Sequence, residues 1–173
     1  MNVNKDIKHP SGQAIMDALK KAHIQFIVSV PDIVTSDGLL WPISKDPEFK
    51  LVRVCKEDEG VSICGAMSYT MTRALLLMQQ TGLMDSLNAI RAIGIDYQLP
   101  VCMMVGLQGK EPHKISSESS SYGVRIIQPV LEAMQIPFRV IESPEDVKHI
   151  TADIEAAYQT SSTFVFIIGR APV

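Results

Sequence analysis

Hydrophobic positions along the chain alternate between two periods. Short runs of contiguous apolar, often β-branched residues are followed by stretches in which apolar residues recur every three or four positions. That alternation predicts a three-layer α/β fold, a central, mostly parallel six-stranded sheet with helices on both faces. The strands are expected at Ile24–Val30, Leu51–Cys55, Ala74–Met78, Val101–Val105, Phe138–Glu142 and Phe164–Ile168. The first helix is expected from an N-cap at Ser11 to His23, with Ile15, Leu19 and Ala22 on one face. A short helix is expected within Asp32–Pro47, and longer ones over Glu57–Thr72, Leu83–Ile95 and Val124–Gln135. Ser143-Pro-Glu-Asp146 carries an N-cap, a proline at the first helical position and an acid at the third, so a helix is expected from there to Thr160. Between the fourth strand and the next helix lies a polar, serine-rich loop, Gly106–Gly123.

In an open parallel sheet, functional groups collect where the carboxyl ends of the strands meet their loops. Four segments fall on that edge: Val30-Pro-Asp32, Lys56-Glu-Asp-Glu59, Gln79-Gln-Thr-Gly82 and the serine-rich loop. Glu57, Asp58 and Glu59 stand where acids favour the positive end of a helix dipole, which by itself explains helix-start acids. The continuation from Glu59 into Gly60-Val-Ser-Ile-Cys-Gly-Ala-Met-Ser-Tyr69 adds something else, because small residues let a helix approach the sheet closely and fix the direction of a carboxylate at its start. Composition reads the serine-rich loop as a solvated connection, although long loops in compact domains often act as lids.

Composition narrows the function classes. The chain has 173 residues, 46% hydrophobic and 20% charged, with a net charge of −3. This suits one domain able to bury its own core, and offers no basic stripe for nucleic acid. No apolar run approaches the ~20 residues of a membrane span, and the N-terminus, Met1 to Pro10, lacks a secretory signal's apolar stretch. The expected location is the cytoplasm. Cys55, Cys64 and Cys102 are odd in number and embedded in apolar segments, and they read as reduced core residues. No nucleophile elbow, Walker loop, Gly-x-Gly-x-x-Gly after a strand or His-Glu-x-x-His motif is present, so hydrolase, nucleotide-switch and zinc-enzyme readings fall away. Of the four histidines only His113 lies on the carboxyl edge, and no metal ligands are expected in this chain.

Val30-Pro-Asp32, Lys56-Glu-Asp-Glu-Gly60, Leu77-Met-Gln-Gln-Thr-Gly-Leu83 and Leu87-Asn-Ala-Ile90 resemble, in order and spacing, the pyrimidine-binding domain of thiamine-diphosphate-dependent 2-oxo acid decarboxylases. The likeness runs from about Ser11 to Ile168 and implies a single such domain over residues 1–173. It implies that Glu59 bonds the pyrimidine N1′ of thiamine diphosphate and favours the tautomer that takes the C2 proton. It further implies that Gln79, Gln80, Thr81 and Gly82 border the cofactor, that Asp32 and His113 act in catalysis, and that Asp32, Lys110 and His113 meet the substrate.

Two departures bear on the substrate. Where the family has an arginine-glycine pair after the fourth strand this chain reads Val105-Gly-Leu-Gln-Gly-Lys110, and where the family has glycine-asparagine it has Met84-Asp85. The family's Gly-Asp-Gly segment and following asparagine, which hold magnesium and the diphosphate, have no counterpart here; Ser36-Asp-Gly38 does not match them. The resemblance therefore implies an alpha-type subunit with half a site. A beta-type, diphosphate-binding partner would hold Mg2+, and the alpha-type chain would itself form a dimer or larger. The implied reaction is decarboxylation of a small anionic 2-oxo acid, sulfopyruvate to sulfoacetaldehyde first. Phosphonopyruvate or another 2-oxo acid is the alternative substrate, and a non-catalytic homo-oligomeric binding module is the alternative role.

Overall fold

The computed structural model describes residues 8–173, so residues 1–7, on which part of the reading of the N-terminus rests, lie outside the described residues. In chain order the elements are α1 (Gly12–Lys21), β1 (Phe26–Ser29), a π-helical turn (Ser36–Leu40) running into α2 (Trp41–Ile43), β2 (Lys50–Arg53), α3 (Glu57–Tyr69), β3 (Ala74–Gln79), α4 (Gln80–Asp85) and α5 (Leu87–Ala89). There follow a π-helical segment (Ile90–Asp96), β4 (Cys102–Gly106), a 3₁₀ turn (Ser116–Glu118), α6 (Tyr122–Arg125), α7 (Ile127–Ala133), β5 (Phe138–Ile141), α8 (Pro144–Val147), α9 (Ile150–Gln159) and β6 (Phe164–Ile168). No helix among the described residues is long and apolar enough to cross a membrane.

The strands form one six-stranded sheet in the order β2-β1-β3-β4-β6-β5. All five pairings are parallel, where the sequence led us to expect a mostly parallel sheet. Successive side chains of a strand point to opposite faces, which divides the core into two layers. Ile27, Leu75, Leu77, Cys102, Met104 and Phe166 pack with Ile15 and Leu19 of α1 and Ile150 and Ile154 of α9. On the other face Val28, Leu76, Met78, Met103, Val105 and Val165 pack with Val61 and Cys64 of α3, Leu83 of α4 and Ile127 and Leu131 of α7. The inner strands β1, β3, β4 and β6 are thus buried on both faces, as their apolar runs require, whereas the edge strands β2 and β5 are only partly buried.

The first-helix expectation holds in detail: Ser11 Oγ accepts from Ala14 N at 3.3 Å, and Ile15, Leu19 and Ala22 are fully buried. Ser143 and Asp146 form the reciprocal capping box that opens α8. Four expectations need correction. The Leu83–Ile95 helix begins earlier, at Gln80, and breaks near Ser86; the Val124–Gln135 helix begins at Tyr122 and breaks at Ile126; the Ser143–Thr160 helix breaks at Lys148-His149. Cys64 and Cys102 are buried, but Cys55 is exposed, because β2 ends at Arg53 and the chain has already left the sheet by that point. Burial pushes both buried thiols up, Cys102 to about 12.

The small residues of α3 do what their size suggests. A Cβ at Gly60 would fall 2.5 Å from Leu76 Cδ1 of β3, and one at Gly65 would overlap Ile93 Cγ2. Without side chains at these positions the helix lies directly on the sheet, and its first turn is held at the carboxyl ends of β1 and β3.

Candidate active site at the carboxyl edge

Glu59 occupies the third position of α3 and is exposed. Its Oε2 accepts from Cys55 N at 3.0 Å and Lys56 N at 3.3 Å, the reciprocal arm of a capping box. Its Oε1 has no hydrogen-bond partner among the described residues. One oxygen therefore fixes the carboxylate while the other is free to accept a bond from outside the chain. Glu57 is half-buried, and a Cβ on Gly82 would overlap its Cγ, Cδ and Oε1. That contact brings the start of α3 against the start of α4.

Gln79 ends β3 and pairs in register with Gly106, the last residue of β4. Gln80 is 4% exposed. Its amide grips the backbone of Gln108, with Nε2 donating to the carbonyl at 2.9 Å and Oε1 accepting from the N–H at 2.8 Å. Gln79 Nε2 donates to the Gln108 side chain, and Thr81 Oγ1 donates to Gln79 Oε1 at 3.1 Å. Gln79–Gly82 is thus the end of a strand and first turn of a helix, not a loop, and Gln80 orders the segment after β4. Gln108 was not singled out from sequence; its role arises because β3 and β4 are neighbours.

Asp32 is 6% exposed and turned into its own loop. Oδ1 accepts from Val34 N at 2.7 Å and Thr35 N at 3.0 Å, and Oδ2 accepts from Thr35 Oγ1. A Cβ on Gly106 would lie 2.8 Å from Asp32 Oδ1, so the β1 loop is pressed onto the end of β4. Both carboxylate oxygens of Asp32, the acid expected at the substrate, are thus bonded within the loop they shape.

The side chain of Lys110 is only 2% exposed and pairs with Glu142 Oε1 at 2.8 Å. Lys110, expected to meet the substrate, is the inner member of this ion pair. His113 is exposed. The serine-rich loop around it is tied down by Glu111, which accepts from Ser119 Oγ at 2.6 Å, from Ser120 N at 2.9 Å and Oγ at 2.5 Å, and from Lys114 Nζ at 2.9 Å. The hydroxyl bonds from Ser119 and Ser120 hold the Glu111 carboxyl far below the usual carboxylate range. Arg125 donates to the carbonyls of Ser119 and Ser120 at 2.6 and 2.9 Å, and Gln128 donates to Ser116 Oγ at 2.6 Å. A serine run that composition reads as solvated is a folded loop.

The edge also holds a cavity of about 280 Å³ between the segments after β1, β4 and β6, lined in part by Val34, Leu107, Lys110 and Arg170. Asp32, Glu59, Gln80 and His113 do not line it. Arg170 and Glu142 were also not singled out, although Glu142 directly follows β5 and Arg170 comes two residues after β6, so the carboxyl-end rule reaches both.

The parallel three-layer sheet, with its first helix turn, Val-Pro loop and β4 loop on one edge, defines the class: a three-layer α/β domain with an all-parallel six-stranded sheet. One solved structure shares the fold across 98% of this chain, the 2-oxoglutarate:ferredoxin oxidoreductase from Magnetococcus marinus, with a TM-score of 0.67 and 13% identity, and the chain spans 31% of that protein's length. No protein-family model matches the chain.

The sequence relatives are narrower. The chain is 26% identical over 163 residues to the sulfopyruvate decarboxylase subunit alpha of Methanothermobacter thermautotrophicus, covering 94% of this chain and 97% of that one. It is 29% identical over 133 residues to the subunit alpha of Methanocaldococcus jannaschii, covering 77% of each. It also matches the sulfopyruvate decarboxylase of Methanosarcina acetivorans at 22% identity, with 90% of this chain covering 39% of that protein. The subunit-alpha relatives are thus similar to this chain over most of their own length.

Proposed function

We propose that this chain is the alpha-type subunit of a thiamine-diphosphate-dependent 2-oxo acid decarboxylase, a carboxy-lyase whose substrate is sulfopyruvate. The reading treats residues 1–173 as one pyrimidine-binding domain with its core at 11–168, working in the cytoplasm. The observation that carries it is Glu59, a carboxylate anchored by two backbone amides through one oxygen and left without an intramolecular partner on the other, at the carboxyl edge of a parallel sheet. Those properties fit a group that must accept a hydrogen bond from a pyrimidine N1′ held between two chains. Bound thiamine diphosphate supplies the nucleophilic carbon and the electron sink for loss of carbon dioxide.

Glu59 would hold the pyrimidine at N1′, supplying the acid–base group there. Gln80 fixes the segment after β4, and Gln79, Gln80, Thr81 and Gly82 would border the cofactor. Asp32 shapes its own loop on the same edge, and exposed His113 would move a proton to or from the product carbon. The described residues contain no group of three or more His, Cys, Asp or Glu able to hold a metal ion. On this reading Mg2+ and the diphosphate belong to a beta-type partner. The 39% coverage of the longer Methanosarcina acetivorans protein supports a division of the activity between two chains.

The test is reconstitution. The purified chain with thiamine diphosphate and Mg2+ alone is expected to release no carbon dioxide from sulfopyruvate, and addition of a diphosphate-binding beta-type chain is expected to restore turnover. Full activity of the single chain would end the split-site reading, and no activity in the mixture with any 2-oxo acid would end the enzyme reading.

A further inference from the structure

We infer that the crevice between β4 and β6 is an oxyanion subsite centred on Arg170, and that it takes the acidic group of the substrate. The inference rests on the reading of this edge as the active one and adds to it the residue that recognises charge.

The crevice lies where the order of strands departs from the order of the chain: the connection after β4 runs to β5 at the outside, and β6 returns between them. Such reversals open a gap at the carboxyl ends because the flanking loops leave in opposite directions. Its walls include Ile33, Val34, Leu107 and Pro112, and its polar groups include Lys110 and Arg170. At about 280 Å³ it suits one end of a small acid.

The charges do not cancel. Lys110 is neutralised by Glu142 at 2.8 Å. Glu142 is held there by Gly169, where a Cβ would fall 2.5 Å from its Oε1. Arg170 has no carboxylate partner among the described residues. It donates only to the carbonyls of Glu142 at 3.1 Å and Pro112 at 3.4 Å, and its Nε is buried without a partner. Arg73, by contrast, is met by Glu155 and Arg139 by Asp153, each through two bonds. A guanidinium offers five donors in a planar fork. One left half-buried with a bare Nε among apolar walls is costly unless an anion completes it. The fork matches carboxylate, sulfonate and phosphonate oxygens alike.

Two measurements test the assignment. In the full chain, arginine Nε–H resonances are followed while methanesulfonate or inorganic phosphate is added, with acetate as a third arm. One signal, absent in Arg170→Lys, is expected to move and saturate, and Arg170→Gln is expected to weaken binding at least about tenfold. Equal, unsaturating shifts of every arginine would mean ionic screening only and would overturn the subsite.

In the reconstituted complex, Arg170→Gln is expected to lower kcat/KM for sulfopyruvate roughly ten- to a hundredfold, mostly through KM, and to leave pyruvate, which has no distal charge, unchanged. Arg170→Lys should recover part of the loss, and Arg91→Gln on the surface should have no effect. Equal losses for both substrates would assign Arg170 to structure and end the proposal. Saturable anion binding at Arg170 in a complex that decarboxylates no 2-oxo acid would refute the enzyme reading while leaving the oxyanion subsite standing.

Discussion

Glu59 shows how much a single residue's surroundings decide. At the sequence level it is one of three neighbouring acids, any of which suits a helix start. In the fold Glu57 lies against Gly82 and Asp58 Oδ1 accepts from Glu59 N at 3.0 Å, which leaves Glu59 as the acid with an anchored oxygen and an unpartnered one. Glu59→Gln keeps the shape and the capping acceptor, so the melting temperature should change by the equivalent of about 1 kcal/mol or less. Turnover of the reconstituted complex should fall on the order of a hundredfold, as for loss of a general acid or base, with little change in KM. A second residue-scale prediction separates the cysteines. Cys55 is exposed, whereas Cys64 and Cys102 are buried with raised pKa values. Iodoacetamide at neutral pH should therefore label Cys55 alone in the native chain, as read by peptide mass spectrometry, and all three after unfolding.

At the scale of elements, the β4 loop is the segment least legible in advance and most dependent on a single side chain. Glu111 is its hub, and its carboxyl is held low by bonds from Ser119 and Ser120. A carboxyl with a depressed native pKa contributes order that is complete above its ordinary value near 4.5 and is lost as pH falls below that value. Hydrogen exchange of the Ser120 amide should thus be independent of Glu111 ionisation at neutral pH and show falling protection in acid. Glu111→Gln should lower protection about tenfold at pH 7 and abolish the acid dependence. Because His113 and Lys110 ride on this loop, the same substitution should weaken turnover without touching Glu59. The helices tell the converse story. The Ser11 cap, the Ser143–Asp146 box and the small-residue face of α3 are local chemistry, and each is where its sequence places it.

Across the whole molecule, the proposed reading makes the carboxyl edge half of a crevice that another chain completes. The carboxyl-edge loops expose Ile33 at 75%, Ile115 at 57% and Tyr122 at 68%, apolar side chains more suited to a covered surface than to water. On the proposed reading these loops face the partner chain. Sedimentation should show the chain alone as a dimer or larger, and addition of the beta-type chain should give one species of higher mass. Ile33→Asp and Tyr122→Asp together should leave the fold intact while preventing that shift. A monodisperse monomer that never gains mass with the partner would count against an assembled site.

The fold class, the six strands and the relation to sulfopyruvate decarboxylase alpha subunits were legible in the sequence, because each rests on periodicity, capping or motif, all properties of neighbours along the chain. The edge on which Glu59, Gln80 and His113 lie was legible too, since every parallel strand delivers its following loop to the same side. What tertiary structure alone decided is how the charges on that edge are spent. Asp32 is consumed by its own loop, Gln80 by Gln108, Glu111 by two serines and Lys110 by Glu142, whereas Arg170 keeps an unpartnered Nε. The Asp32 and Glu111 bonds stay within one loop each, the Gln80 bond needs β3 beside β4, and the Lys110–Glu142 pair needs the ends of β4 and β5 brought together around β6. Electrostatic pairing depends on distance in space, so no reading along the chain could assign them.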